Sequence, residues 1–251
     1  MGISGGRAVT EKELPGGLSL DQIHRGLPDE TPWFFRTVLA GRRFLIVTFV
    51  TTVFLGVIAA NNPEWLLRID KPVSEWVRGW EGSLLFAKGV THLGSPNLAI
   101  GVGLIAVAFL WRRCRASAFT LGVLVAAALT IDTMLKVIVD RARPPNPAVS
   151  TGLGSFPSGH VIHAVIIFGL VPFLLWILTN RPGVLRLGFV VFAVVVLLVA
   201  WSRVRLGAHW PSDVIASLFI GASLLLGAEQ LLTSTWAAER CDMLGHHPSS
   251  P

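Results

Sequence analysis

Charge is scarce in this chain. Only 14% of its 251 residues are Asp, Glu, Lys or Arg, and the mean hydropathy is +0.63. That is too apolar for a typical soluble domain. Cysteine is nearly absent. Cys114 and Cys241 fall in segments read as cytoplasmic, so a disulfide framework is excluded and free thiols are expected. No P-loop pattern occurs. The formal net charge is +6, yet no basic run is dense enough for a nucleic-acid patch. There is no internal repeat, and the only low-complexity stretches are the two tails.

What the chain does have is long apolar runs. A bilayer-spanning helix needs about 20 mostly apolar residues, and six such spans are read at 44–60, 95–111, 117–138, 160–178, 185–201 and 213–232. The expected fold class is therefore all-α, a polytopic membrane bundle of six transmembrane helices. Residues 1–42 read as a partly disordered cytoplasmic tail, 43–232 as the membrane domain and 233–251 as a second cytoplasmic tail. The first span begins too late for a secretory signal and is read as a retained anchor. Between the first two spans, Ile69, Val73, Trp76, Val77, Trp80 and Leu84 recur at helical spacing among charges. This pattern predicts an amphipathic helix lying in the membrane interface.

Arginines set the expected orientation. Arg42 and Arg43, then Arg112, Arg113 and Arg115, then Arg181 and Arg186 fall in alternate connections. Basic short loops face the cytoplasm, so both termini are expected inside, in the cell inner (plasma) membrane.

Three short stretches then fall together at the outer ends of the spans. KVIVDRARP carries Lys136 and Arg143 around six residues; SFPSGH ends in Ser158, Gly159 and His160; SRVRLGAHWPSD supplies Arg203, His209 and Asp213. Phosphoryl transfer needs fixed donors for the equatorial oxygens and an in-line nucleophile. Lys136, Arg143 and Arg203 supply cations, and the arginine fork matches phosphate oxygens. Ser158 and Gly159 open the fourth span, where helix N-terminal N–H groups bind anions. A simple serine cap is the blander alternative for that turn. His209 and Asp213 are four residues apart, so a shared helix face would let the carboxylate orient the imidazole. His209 is then the expected nucleophile, through a phosphohistidine, and His160 the general acid. His160 and His163 have weak metal-ligand spacing, and the motifs offer too few carboxylates for a two-metal site; no cofactor is expected.

Other residues carry smaller expectations. Asp132 is expected to pair with Lys136 one turn away. Arg141 is either a further phosphate contact or a plain loop residue. His163 reads as a core histidine satisfied by a hydrogen bond, and Trp210 as an interfacial tryptophan.

The three motifs resemble those of the type 2 phosphatidic acid phosphatase family, which is related to vanadium-dependent haloperoxidases. Lys136, Arg143 and Pro144 match its first motif, Pro157 to His160 its second, and Ser202, Arg203, His209 and Asp213 its third. The resemblance implies a helical core in which Lys136, Arg143, Ser158, Gly159 and Arg203 bind phosphate, with the histidine roles given above and no metal. It also implies membrane lipids as partners and a phosphorylated lipid as substrate. The expected substrate is polyprenyl diphosphate, with phosphatidylglycerophosphate or phosphatidate, or transfer to an acceptor, as the alternatives.

Overall fold

The structure is a computed structural model that describes residues 42–61, 63–112, 115–179 and 182–232. It is helical, and no strand occurs among the described residues. Helix α1 is Arg42–Asn61, α2 Pro63–Arg78 and α3 Leu84–Val90. A 3-10 turn, Thr91–Gly94, leads into α4, Pro96–Trp111. Then follow α5, Arg115–Val139; α6, Gly159–Thr179; α7, Pro182–Arg205; and α8, Pro211–Leu232. Nearly all of the expected tails and both cysteines lie outside the described residues.

Among the described residues, five stretches are long and apolar enough to cross a bilayer: Phe44–Asn61, Leu84–Trp111, Arg115–Val139, Arg186–Arg205 and Pro211–Ala228. The fourth expected span is helical as α6, although its described apolar part, Gly159–Leu170, is shorter than a crossing.

Helix α6 is the axle of the bundle. Val161, Ile162, Ala164, Val165, Ile166 and Ile167 are all buried. A helix buried on every side carries no polar face. One side of α6 packs with Val196, Val199 and Val204 of α7; the other packs with Leu121 and Leu124 of α5 and Ile220 of α8. The outer helices instead expose large apolar side chains, among them Phe49 and Phe54 of α1, Leu104 and Ile105 of α4, and Leu197 of α7. An apolar exterior around a packed core is the arrangement that lipid solvates.

Helix α2 buries two polar residues and leaves large apolar ones outside. Pro63 and Glu64 open it, a fixed φ and a negative charge where the helix dipole is positive. Its buried line is Leu66, Asp70, Ser74 and Val77, whereas Trp65, Ile69, Val73 and Trp76 are exposed. Asp70 and Ser74 turn toward the protein with Leu66 and Val77, while the aromatic groups face away from it beside the exposed Glu64, Arg68, Lys71 and Glu75. The expected helical run ends earlier than its spacing suggested. The chain turns at Gly79–Ser83, with Gly82 at φ +73, and restarts as α3.

Candidate active site

Four helix ends meet at one end of the bundle: the end of α5, the start of α6, the end of α7 and the start of α8. They bring together every residue of the three motifs.

The last turn of α7 shows how the chain folds back to the site. Gly207 takes φ +63, its N–H donates to the Val204 carbonyl at 2.9 Å, and the Ala208 N–H donates to the Arg203 carbonyl at 3.1 Å. This pair of bonds ends the helix by a left-handed glycine. His209 follows in the reversed segment. Its own N–H also points to the Arg203 carbonyl, at 3.3 Å. Pro211 then opens α8, and the Asp213 carboxylate reaches back to accept from the Trp210 N–H at 2.9 Å. That is half of a capping box, which fixes where α8 begins.

His209 is buried. Its Nδ1–H donates to the Ser155 carbonyl at 2.6 Å, and its Nε2 lies 3.5 Å from Arg143 Nη1. A carbonyl only accepts, so this bond fixes the proton on Nδ1 and leaves the Nε2 lone pair facing Arg143. Burial first, then the charges of Arg203, Arg143 and Lys136, push the His209 pKa well below the usual imidazole range; the Ser155 bond opposes this. The ring is held neutral, the state a nucleophile needs.

The expected partnership of His209 with Asp213 is not what the structure contains. His209 precedes α8 and does not share a helix face with Asp213. The Asp213 oxygens are taken by Trp210 N–H and by Arg141 Nη1 at 2.5 Å. The Ser155 carbonyl orients the imidazole instead. Asp213 acts on the turn that carries His209 rather than on the ring.

Arg141 is neither a phosphate contact nor a plain loop arginine. Its guanidinium is buried between two carboxylates, Asp213 and Asp70 of α2, the latter at 2.7 Å. Asp70 also accepts from the Ser212 N–H at 2.9 Å and its hydroxyl at 2.6 Å. Asp70 belongs to no motif; the only sign of it in the sequence is an acidic residue on the face of α2 opposite Trp76.

The remaining cations are placed by neighbours. Lys136 Nζ bonds Asp132 at 2.7 Å, as expected. Arg203 Nη1 donates to Thr91 Oγ1 at 2.7 Å, while its Nε is buried without a partner. Arg143 reaches the Leu153, Gly154 and Ala208 carbonyls. Thr91 and the following turn lie far from the motifs in sequence. A side chain at Gly94 would meet the His160 carbonyl, so that turn packs on the start of α6.

At α6 the Ser158 N–H donates to Ser217 Oγ at 2.7 Å, so it does not point at an anion. The Ser158 hydroxyl is buried and without a partner; it does not cap the helix, and it is the donor this turn has to offer. A Cβ at Gly159 would overlap the Asp132 carboxylate. The missing side chain makes room for that carboxylate. His160 is partly exposed beside Gly159.

His163 is a buried core histidine as expected; its ring lies against the Gly94 backbone, with neither nitrogen in good hydrogen-bond geometry. Trp210 is buried; its Nε1–H donates to the Ala142 carbonyl at 2.8 Å, and Arg141 stacks 5.9 Å from its ring. Among the described residues, no three His, Cys, Asp or Glu side chains converge as metal ligands do.

The PAP2 superfamily profile matches residues 117–236. Phosphatidylglycerophosphatase B of Bacillus subtilis (strain 168) is 30% identical over 146 residues, which cover 54% of this chain and 68% of that protein. Undecaprenyl-diphosphatase of Sulfolobus acidocaldarius is 29% identical over 130 residues, covering 49% and 59%. Decaprenylphosphoryl-5-phosphoribose phosphatase of Mycobacterium tuberculosis is 29% identical over 148 residues, covering 57% and 77%. The fold is similar to the crystal structure of a transmembrane PAP2 type phosphatidylglycerolphosphate phosphatase from Bacillus subtilis. Its TM-score is 0.65 at 23% identity, over 73% of this chain and 93% of that one.

Proposed function

This chain belongs to the PAP2 superfamily and is a membrane lipid phosphatase, and from that premise we propose a substrate and a mechanism. The substrate is a polyprenyl diphosphate, hydrolysed to the monophosphate and inorganic phosphate. His209 Nε2 attacks the terminal phosphorus in line with the bridging oxygen. Lys136, Arg143 and Arg203 meet the charge of the equatorial oxygens, with the Ser158 hydroxyl as a further donor. His160 protonates the leaving oxygen, then takes a proton from the water that cleaves the phosphohistidine.

The observation that carries this reading is the His209 geometry: Nδ1–H held by the Ser155 carbonyl, Nε2 facing a cation. The donor set of three cations and a hydroxyl is what a metal-free phosphoryl transfer would use to meet the developing charge. The polyprenyl assignment draws on the two relatives whose names carry polyprenyl substrates. A second reading, phosphatidylglycerophosphate as substrate, is favoured by the relative named for that activity. We further place the domain at 43–232 with six crossings, α6 being the fourth, in the inner (plasma) membrane with the site on the extracytoplasmic face.

Purified protein in detergent with a chelator is the test. It is expected to release phosphate fastest from polyprenyl diphosphate in a panel that includes phosphatidate and phosphatidylglycerophosphate. His209→Ala is expected to lower kcat by roughly 10³-fold or more, as removal of a nucleophile does. Full activity in that variant overturns the phosphohistidine, and activity restored only by a divalent ion overturns the metal-free step. Acceptor phosphorylation without free phosphate would make the enzyme a phosphotransferase.

A further inference from the structure

We infer that Asp70, on α2 and outside every motif, is a positioning residue for the nucleophile. This rests on the reading of His209 as that nucleophile. Asp70 is 1% exposed, and its carboxylate takes three hydrogen bonds, from Arg141 Nη2, Ser212 N–H and Ser212 Oγ, all between 2.6 and 2.9 Å. A buried carboxylate with that many donors is fixed in place.

Arg141 carries this fixation to His209 by two routes. Through its side chain it bonds Asp213, which holds the Trp210 N–H and so the turn immediately after His209. Through its backbone, the Arg141 carbonyl accepts from the Ser155 N–H at 2.8 Å. Ser155 is the residue whose carbonyl orients the imidazole. One arginine thus sets both the backbone that carries the ring and the acceptor that aims it. Asp70 is the carboxylate that anchors this arginine from a separate helix, and through Ser212 it grips the start of α8 as well. Two carboxylates around one guanidinium also explain why the nearer one, Asp213, is not free to reach the imidazole.

The test compares Asp70→Asn, Ser212→Ala and the double variant in detergent, with dioctanoyl phosphatidate as substrate. Each single change loosens the aim of Nε2 without touching a phosphate-binding group. Asp70→Asn is expected to lower kcat by roughly 10- to 100-fold, the scale set by a misplacement of about 1 Å, with KM unchanged. Ser212→Ala is expected to lower kcat less, and the double variant to be no slower than Asp70→Asn, because both act through one set of bonds. Rates are taken per folded molecule, from thermal unfolding of each variant at the assay temperature. Unchanged kcat in both single variants overturns the inference. So does a loss confined to KM, or losses that multiply in the double variant. Should Asp70→Asn not fold, the kcat of Ser212→Ala decides alone. An active His209→Ala would defeat the underlying reading, whereas an inactive His209→Ala beside fully active Asp70→Asn and Ser212→Ala defeats only this inference.

Discussion

At Gly159 a single hydrogen atom separates the helix start from the Asp132 carboxylate, and the same carboxylate holds Lys136. Adding a methyl group forces one of three things: α6 moves, Asp132 leaves, or Lys136 loses its partner. Gly159→Ala is therefore expected to cost about 1–3 kcal/mol by overpacking and to lower kcat/KM by about 10²-fold if the site shifts by an ångström. Thermal unfolding in detergent beside phosphate-release kinetics checks both. Wild-type values in both would mean the carboxylate and the helix start tolerate closer approach than the geometry allows. The identity of this residue was legible in the sequence; its reason was not, because the contact joins α5 to α6 across the bundle. The same limit applies at Asp213. Its four-residue spacing from His209 suggests a shared helix face only if the helix includes both. Gly207 and Pro211 end one helix and start the next between them. Read as cap signals, those two residues would have pointed to a carboxylate that grips a turn.

At the scale of elements, α2 is the piece whose function the sequence half revealed. The recurrence of Ile69, Val73 and Trp76 marked a helix with an apolar face, and the structure has that helix. Two things were not visible. One is its end at Gly79, since apolar spacing continues past the turn to Leu84. The other is the direction of its faces: in a soluble protein Trp76 would be inside and Asp70 outside, and here Trp76 is 66% exposed while Asp70 is buried. Exposure of aromatic groups with burial of charge is stable where the surroundings are lipid headgroups and acyl chains, the level that tryptophan prefers. Arg78 strengthens the attachment, donating to the Pro145 and Asn146 carbonyls of the motif loop at 3.0 and 2.9 Å. In vesicles, brominated lipids are expected to quench Trp76 emission, with headgroup-proximal bromines the most effective. The component is obtained by comparing the intact protein with Trp76→Phe. Equal quenching in the two proteins would place α2 away from the interface.

For the whole molecule, the fold separates two kinds of cation by the length of its helices. Lys136 lies in the last turn of α5 at the site, and Arg115 opens the helix; at 1.5 Å per residue they are about 32 Å apart, enough to cross the hydrocarbon core. Arg112 ends α4 beside Arg115, and Arg186 lies in the first turns of α7, a helix that finishes at the site with Arg203. The loop arginines and the motif cations thus occupy opposite ends of the bundle. The sequence alone left the contrast weak, because the motif side also carries many positive charges. The structure accounts for three of them within the site: Arg141 by two carboxylates, Lys136 by Asp132, Arg143 by backbone carbonyls. With those set aside, the positive-inside rule acts on the loop arginines, and the site is proposed to face outward. Cysteine labelling of intact cells checks this. In a background with Cys114 and Cys241 replaced by serine, Ser150→Cys lies in the exposed motif loop and Gly183→Cys in the first turn of α7, at the opposite end of the bundle. A membrane-impermeant maleimide is expected to label position 150 at once and position 183 only after permeabilisation. The reverse pattern would turn the site to the cytoplasm and require its lipid to be supplied from within. Equal labelling of both would mean that the two ends are not separated by a bilayer at all.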